Sequence, residues 1–244
     1  MNRSTVAAAL VTLTLASAML SFTLVSRTLR QRQAVFLPAR RRQVTLVIDP
    51  GHGGEDGGAV SLSGIPESRI NLSISLKCDQ IAGLFGLSCV TLRQEDVSLA
   101  SEDAVTLREK KRSDLERRVS LVEQTEGAWL LSIHQNKFDS PASHGAQVFY
   151  RPDPSAQAWA AATQEGLRMC LDADNHRKCK EIPEEIYLMK HVSCPGILVE
   201  CGFLSNPEEE RLLQDEGYQR RIAAVLMGSF LSVTQHTGEV TQQR

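Results

Sequence analysis

Beyond residue 43, short apolar runs alternate with longer amphipathic ones, and this alternation constrains the fold more than any other feature of the sequence. Val44-Thr45-Leu46-Val47-Ile48 is β-branched and apolar and stops at Asp49-Pro50-Gly51, as a buried strand does where it enters a loop. A glycine-dense loop over 51–64 comes next. Pro66 and Glu67 then open a helical spacing of Ile70, Ile74, Ile81, Leu84 and Phe85, with Pro66 expected in the first turn. Strand patterns recur at 88–93, 128–133, 145–150 and 196–200, and helical ones through Leu115, Val119 and Val122, over 155–171 and over 206–230. The order predicts an α/β fold, one domain over 44–235 with helices on both faces of a sheet. Residues after Val233 are polar, so 236–244 reads as a frayed tail.

The N-terminal arm is a different physical object. No charged residue lies between Ser4 and Ser26, and the stretch from Val6 to Val25 is rich in Ala, Leu, Val and Met, about the length that crosses a bilayer as a helix. Residues 1–26 therefore read as a membrane anchor or as a secretory signal with Ala16-Ser17-Ala18 as the cleavage site. The apolar run continues through Leu20, Phe22 and Val25, past that site, which favours export with the segment retained. One arginine precedes the segment and six follow it within an Arg-rich linker, 27–43; on the positive-inside rule that distribution would leave the body in the cytoplasm. With the seven arginines of this arm set aside, the 27 basic residues fall to 20 against 29 acids, so the body carries about −9. That sign argues against nucleic acid as a partner, because polyphosphate binding needs a basic footprint. At 42% hydrophobic and 23% charged, the composition excludes a disordered or collagenous chain.

Cys78, Cys89, Cys170, Cys179, Cys194 and Cys201 form an even set, without the spacing of a zinc ribbon or a C-x-x-C redox motif. Cys78 falls in a helical pattern and Cys89 in a strand pattern, where small buried thiols are common. Cys170 and Cys179 flank a polar segment and are the pair expected to be bridged.

In open α/β sheets functional groups gather at the carboxyl ends of strands, and three strands here end in reactive side chains. Ile48 leads to Asp49 and His52, Ile133 to His134, and Val199 to Glu200. Two imidazoles converging with a carboxylate make a catalytic zinc site of the His₂Glu type, with the fourth tetrahedral position open to water. Glu55, Asp56 and Glu67 are the candidates for the third ligand. Glu55 has the spacing of an H-x-x-E pair with His52, and Glu67 sits at the rigid start of the first helix; spacing alone favours neither. A phosphate-binding loop is excluded in detail: Asp56 stands where the last glycine of G-x-G-x-x-G belongs, no Gly-Lys-Ser/Thr follows, and the acids would repel phosphate. Asn136, two residues beyond His134, falls on the same side of an extended strand and is a candidate to support that ligand. Asp49 reads as a structural group at the strand end. His144, His176 and His191 lie in polar stretches and read as solvated.

The blocks Ile48-Asp49-Pro50-Gly51-His52-Gly53-Gly54, Asp56-Gly57-Gly58-Ala59, Glu67, Ser132-Ile133-His134-Gln135-Asn136 and Leu198-Val199-Glu200-Cys201-Gly202-Phe203-Leu204-Ser205-Asn206 stand in the order of the zinc-dependent N-acetylmuramoyl-L-alanine amidases, which the chain resembles over about residues 44–230. Ile186-Tyr187-Leu188-Met189-Lys190 and the N-terminal segment look most like the sporulation-type enzymes that act on spore cortex. The resemblance implies a mixed, mostly parallel sheet flanked by helices. It implies one zinc ion held by His52, Glu67 and His134, choosing Glu67 over Glu55, with Glu200 as the catalytic carboxylate. Arg93 and Arg118 also fall where the family has arginines, and both read as ion-pairing structural residues. The implied reaction is hydrolysis of the amide between the lactyl group of N-acetylmuramic acid and L-alanine in peptidoglycan, with Glu200 moving the proton. The expected surroundings are the extracytoplasmic face of a bacterial membrane, glycan strands with their stem peptides, and an activator protein in place of a wall-binding module. Two other readings stand beside this one: an exported zinc peptidase that shortens the stem, and a catalytically silent wall-binding protein, which the joint presence of His52, Glu67, His134 and Glu200 disfavours.

Overall fold

The computed structural model describes residues 44–240; the apolar segment 1–26, the Arg-rich stretch 27–43 and residues 241–244 lie outside the described residues. Six strands form one sheet: β1 (Thr45–Pro50), β2 (Ser88–Thr91), β3 (Ala128–Asn136), β4 (Gln147–Tyr150), β5 (Lys180–Glu181) and β6 (Gly196–Phe203), in the spatial order β2-β1-β3-β6-β4-β5. β2, β1, β3 and β6 run parallel, β4 is antiparallel to β6, and β5 is parallel to β4. The sheet is therefore mixed and mostly parallel. Among the described residues there are six helices: α1 (Glu67–Leu84), α2 (Leu107–Glu123), α3 (Pro154–Cys170), α4 (Tyr187–His191), α5 (Pro207–Gln214) and α6 (Glu216–Val240).

Both faces of the sheet are covered, which is why its strands are apolar without polar alternation. Leu46, Ile48, Trp129, Leu131, Ile133, Ile197 and Val199 point to one side, where they pack with Ile70 and Ile74 of α1, Trp159 and Leu167 of α3, and Ile222 and Leu226 of α6. Val47, Leu130 and Leu198 point to the other, against Val122 of α2 and Leu188 and Met189 of α4. Trp159 is fully buried between Trp129 and Phe230, at ring-centroid distances of 5.7 and 5.3 Å. Aromatic contacts of this kind add about 0.5–1.5 kcal/mol each beyond the area they bury.

Several local expectations change. β3 runs on to Asn136 and β6 to Phe203, so His134 lies within a strand and not after it, and Glu200 stands inside its strand rather than at the last residue. The helical stretch expected over 206–230 is two helices, because Asp215 ends α5 and its side chain accepts the Tyr218 N–H at 2.7 Å to begin α6. α6 then continues to Val240, past the point where the tail was expected to fray. Pro66 is the N-cap of α1 and Glu67 its first residue. β5 and α4, two and five residues long, carry too little periodicity to be read in advance. Cys170 and Cys179 are both free, a correction to the expected bridge: Cys170 is exposed at the end of α3, while Cys179 packs toward the core ahead of β5.

Candidate metal centre

β1, β3 and β6 are adjacent and parallel, so their carboxyl ends open onto one place. His134 and Glu200 are direct partners across β3 and β6, and the register shifts immediately beyond them, between His134 and Asn136. His52 follows β1 in a left-handed conformation, φ 60°. A β-carbon disfavours that region, at a cost of about 1–3 kcal/mol, and surrounding structure must hold it.

Two buried guanidinium groups do so. Arg118 donates to Asp49, to the Pro50 carbonyl at 2.8 Å and to the His52 carbonyl at 2.8 Å. Arg93 donates to the carbonyls of Pro50 at 3.1 Å, Gly51 at 3.0 Å and Ser68 at 2.9 Å. Arg118 is thus the ion-pairing residue expected, whereas Arg93 satisfies backbone carbonyls at the turn. Burial disfavours the Asp49 charge, but the Arg118 guanidinium and a 2.7 Å hydrogen bond from the Ser132 hydroxyl hold its carboxyl below the ordinary value.

Glu67 enters from α1 with its side chain buried. Its Oε1 lies 3.0 Å from His134 Nδ1 and its Oε2 3.3 Å from His52 Nε2. One ligand atom from each of the three residues falls within 4.8 Å of the others. Further donors fix the carboxylate: the Gln135 N–H at 3.0 Å and Asn71 Nδ2 at 3.1 Å to Oε1, and the Ala59 N–H at 3.0 Å to Oε2. Burial works against the charge, yet the two imidazoles hold the Glu67 carboxyl well below the usual carboxylate range. His52 is partly desolvated, but hydrogen bonds to Asp56 and Glu67 push it up to about 9. The field between these groups favours a cation, and two imidazoles with a fixed carboxylate are a donor set suited to zinc.

The other candidates are placed differently. Glu55 is exposed and paired with Lys110 at 2.8 Å, outside the cluster. Asp56 sits behind His52, its Oδ2 3.1 Å from Nδ1. Asn71 and Gln135 are the supporting residues that pattern reading missed, and Gln135 Nε2 donates to Asn71 Oδ1 at 3.1 Å. Asn71 stands one turn after Glu67 on the same helix face, a spacing that could have flagged it. Asn136, by contrast, gives its carbonyl to the Leu204 N–H at 2.8 Å, beyond the register shift that turns the strand. His144, His176 and His191 are exposed.

Glu200 completes the site. Its Oε2 is buried without a hydrogen-bond partner among the described residues. Burial and the neighbouring Glu67 raise its pKa, His134 lowers it, and the carboxyl rests at about 7. A buried carboxylate poised near neutrality beside a set of metal-ligating groups is the chemistry of a general base that later acts as an acid. Beside His52 an open cleft of about 840 Å³ runs over the loops that follow β1 and β2.

A family model described as N-acetylmuramoyl-L-alanine amidase matches residues 46–229. The germination-specific N-acetylmuramoyl-L-alanine amidase of Bacillus subtilis (strain 168) is 35% identical over 195 residues, covering 80% of this chain and 81% of that protein. The amidase AmiC of Neisseria meningitidis is 27% identical over 224 residues, covering 75% of this chain and 50% of that protein. The structure of the CwlD amidase from Clostridioides difficile, in complex with the GerS lipoprotein, superposes with a TM-score of 0.75 at 34% identity, covering 79% of this chain and 98% of that one. On its fold, its matched residues and these relatives, the chain belongs to the N-acetylmuramoyl-L-alanine amidase family.

Proposed function

We propose that this amidase cleaves the bond between N-acetylmuramic acid and L-alanine in peptidoglycan with one zinc ion held by His52, Glu67 and His134, and with Glu200 as the proton-transfer group. The observation that carries the reading is the meeting of those three donors, within 4.8 Å of one another, beside a buried carboxylate oxygen that has no partner. When bound, zinc supplies a Lewis acid that polarises the lactyl carbonyl and acidifies water. Glu200 takes a proton from the attacking water as its oxygen bonds to the carbonyl carbon. It returns that proton to the departing nitrogen as the C–N bond breaks, leaving a lactyl carboxylate and the free amine of L-alanine. Glu67 is held by Asn71 and Gln135, and His52 by Asp56, so these two ligands need little rearrangement.

The germination-specific relative and the lipoprotein complex of the CwlD amidase support a role in remodelling spore-type wall outside the membrane, with an activator protein as partner. In this reading residues 1–26 anchor or export the chain, 27–43 link, 44–235 carry the chemistry and 236–244 form the end. Elemental analysis of the purified chain, with stem-peptide release from peptidoglycan assayed before and after chelation, tests the proposal. One zinc per chain and chelator-sensitive release of peptides with a free L-alanine amine are expected. Peptides shortened from within the stem, or a chain that takes up no metal, would overturn it.

A further inference from the structure

Glu210, in the first turn of α5, is an acid only 8% exposed that the chemistry above does not use. Its Oε1 accepts three donors: the Ser63 N–H at 3.1 Å, the Ser63 hydroxyl and Gln214 Nε2. Gln214 Nε2 also donates to Ser63 Oγ at 3.0 Å. Ser63 is 147 residues away in sequence, at the tip of the turn that leads into α1.

That turn is short and closed. Val60 and Pro66 form an antiparallel bridge, and within it the Ser61 N–H donates to the Ile65 carbonyl at 2.9 Å and the Gly64 N–H to the Ser61 carbonyl at 3.1 Å. At its base the Glu67 N–H donates to the Ala59 carbonyl at 2.8 Å, while the Ala59 N–H donates to Glu67 Oε2 at 3.0 Å. The base of the turn thus carries one residue of the candidate metal centre, and Glu210 holds the tip. Pro66 gives α1 no side-chain cap, so the place of its first residue, Glu67, depends on the turn.

The support behind Glu210 is firm. Asn206 caps α5 by accepting the Glu208 and Glu209 N–H groups at 3.0 and 3.1 Å, and Leu213 is buried in the core. Glu209 accepts the Phe203 N–H at 2.8 Å and the Gly145 N–H at 2.9 Å, which fastens the same helical turn to the end of β6. Two successive carboxylates therefore join the strand that bears Glu200 to the turn that delivers Glu67. Ser63 is exposed, so donors freed from Glu210 would turn to water and the tip would be released.

We propose that Glu210 is a positioning residue for the metal centre: by holding Ser63 it fixes the turn over 59–67, and with it the Ala59 N–H and the carboxylate of Glu67, and so sets zinc affinity from outside the ligand shell. The inference rests on the metal-centre reading above and extends it to a residue of α5.

The test uses the full chain with Glu210→Ala, Glu210→Gln and Ser63→Ala. Zinc affinity is measured against a competing chelator, the visible absorption of the Co²⁺-substituted proteins reports ligand geometry, and urea unfolding of the metal-free proteins reports stability. Glu210→Ala is expected to bind zinc about tenfold more weakly, on the scale of a lost supporting contact, with an altered Co²⁺ spectrum. Glu210→Gln keeps an acceptor oxygen for Ser63 and is expected to recover most of the affinity and the parental spectrum. Ser63→Ala, at an exposed position where folding is not at risk, should shift both readouts in the same direction as Glu210→Ala by a smaller amount. Parental zinc affinity and Co²⁺ spectrum in Glu210→Ala and Ser63→Ala, whatever their stability, would overturn the positioning role and leave the metal centre standing, as would a Glu210→Gln protein no better than Glu210→Ala. A parent chain that takes up no zinc would overturn both.

Discussion

Arg118 and Asp49 form an ion pair beneath the His52 loop with both side chains 2% exposed, and the same guanidinium holds the His52 carbonyl at 2.8 Å. One buried contact thereby joins the stability of the fold to the geometry of the candidate metal centre. Removing one partner of such a pair strands the other charge, which costs about 3–5 kcal/mol. Arg118→Leu is expected to lose stability on that scale in urea unfolding. It is also expected to lose zinc affinity against a competing chelator, because His52 is released from its left-handed conformation. A variant with reduced stability but unaltered zinc affinity would separate the two roles.

The same pair sets a pH dependence. The folded-state pKa of Asp49 lies below the ordinary aspartate value, so its stabilisation is fully present above the unfolded value and is lost as pH falls through the folded one. Asp49→Asn is expected to be less stable than the parent at pH 7, with the gap closing only below about pH 4. Urea midpoints for both proteins between pH 7 and pH 2.5 measure this. A gap that stays constant across that range would contradict the assignment.

Much of this arrangement was legible in advance. The apolar runs of β1, β3 and β6 and the reactive residues at their ends announced a sheet with one functional edge, since side chains buried on both faces leave an unbroken hydrophobic signal. The choice between Glu55 and Glu67 was not a matter of spacing. It depends on how the loop over 51–66 folds back to bring the first residue of α1 between the histidines, and only the family resemblance pointed to Glu67. Arg93 and Arg118 are opaque for a similar reason: a buried arginine looks like a surface one until the carbonyls it satisfies are known. The Cys170–Cys179 expectation failed because a polar stretch between two cysteines says nothing about where their side chains point.

Glu200→Gln removes the proton acceptor but keeps the side-chain volume. The expected outcome is zinc content near that of the parent and hydrolysis lower by about 10²–10⁴, the usual contribution of general acid–base catalysis. His52→Ala and His134→Ala should instead lose metal together with activity. Turnover by Glu200→Gln at the parental rate would remove Glu200 from the reaction.

Native thiol labelling should follow burial. Cys170 is exposed, whereas Cys78 and Cys201 are buried, and desolvation pushes both thiols up. Burial and the nearby Asp79 raise Cys89 to about 12. Mass spectrometry after brief alkylation is expected to find Cys170 modified first, and all six cysteines modified after unfolding without reductant. Only four modified thiols in the unfolded chain would reveal a bridge.

Gly58 and Gly64 share a left-handed backbone but not an environment, and the difference isolates the packing of the metal centre from the strain of the loop. Gly58 has φ +69°, and a β-carbon there would lie 2.6 Å from Glu67 Oε2 and 2.6 Å from His52 Cδ2. Gly64 has φ +86° with nothing within 4 Å. Alanine at either position incurs the backbone penalty of the left-handed region, about 1 kcal/mol or somewhat more. At Gly58 it must also push Glu67 and His52 apart, and both are held by hydrogen bonds that resist the movement. Gly64→Ala is therefore expected to lose only the backbone penalty by thermal unfolding, while Gly58→Ala loses more stability and also zinc affinity, by tenfold or more on the scale of a disturbed ligand shell. Equal zinc affinity in the two variants would mean that the loop yields around the new methyl group and that the centre is less rigid than its hydrogen bonds imply.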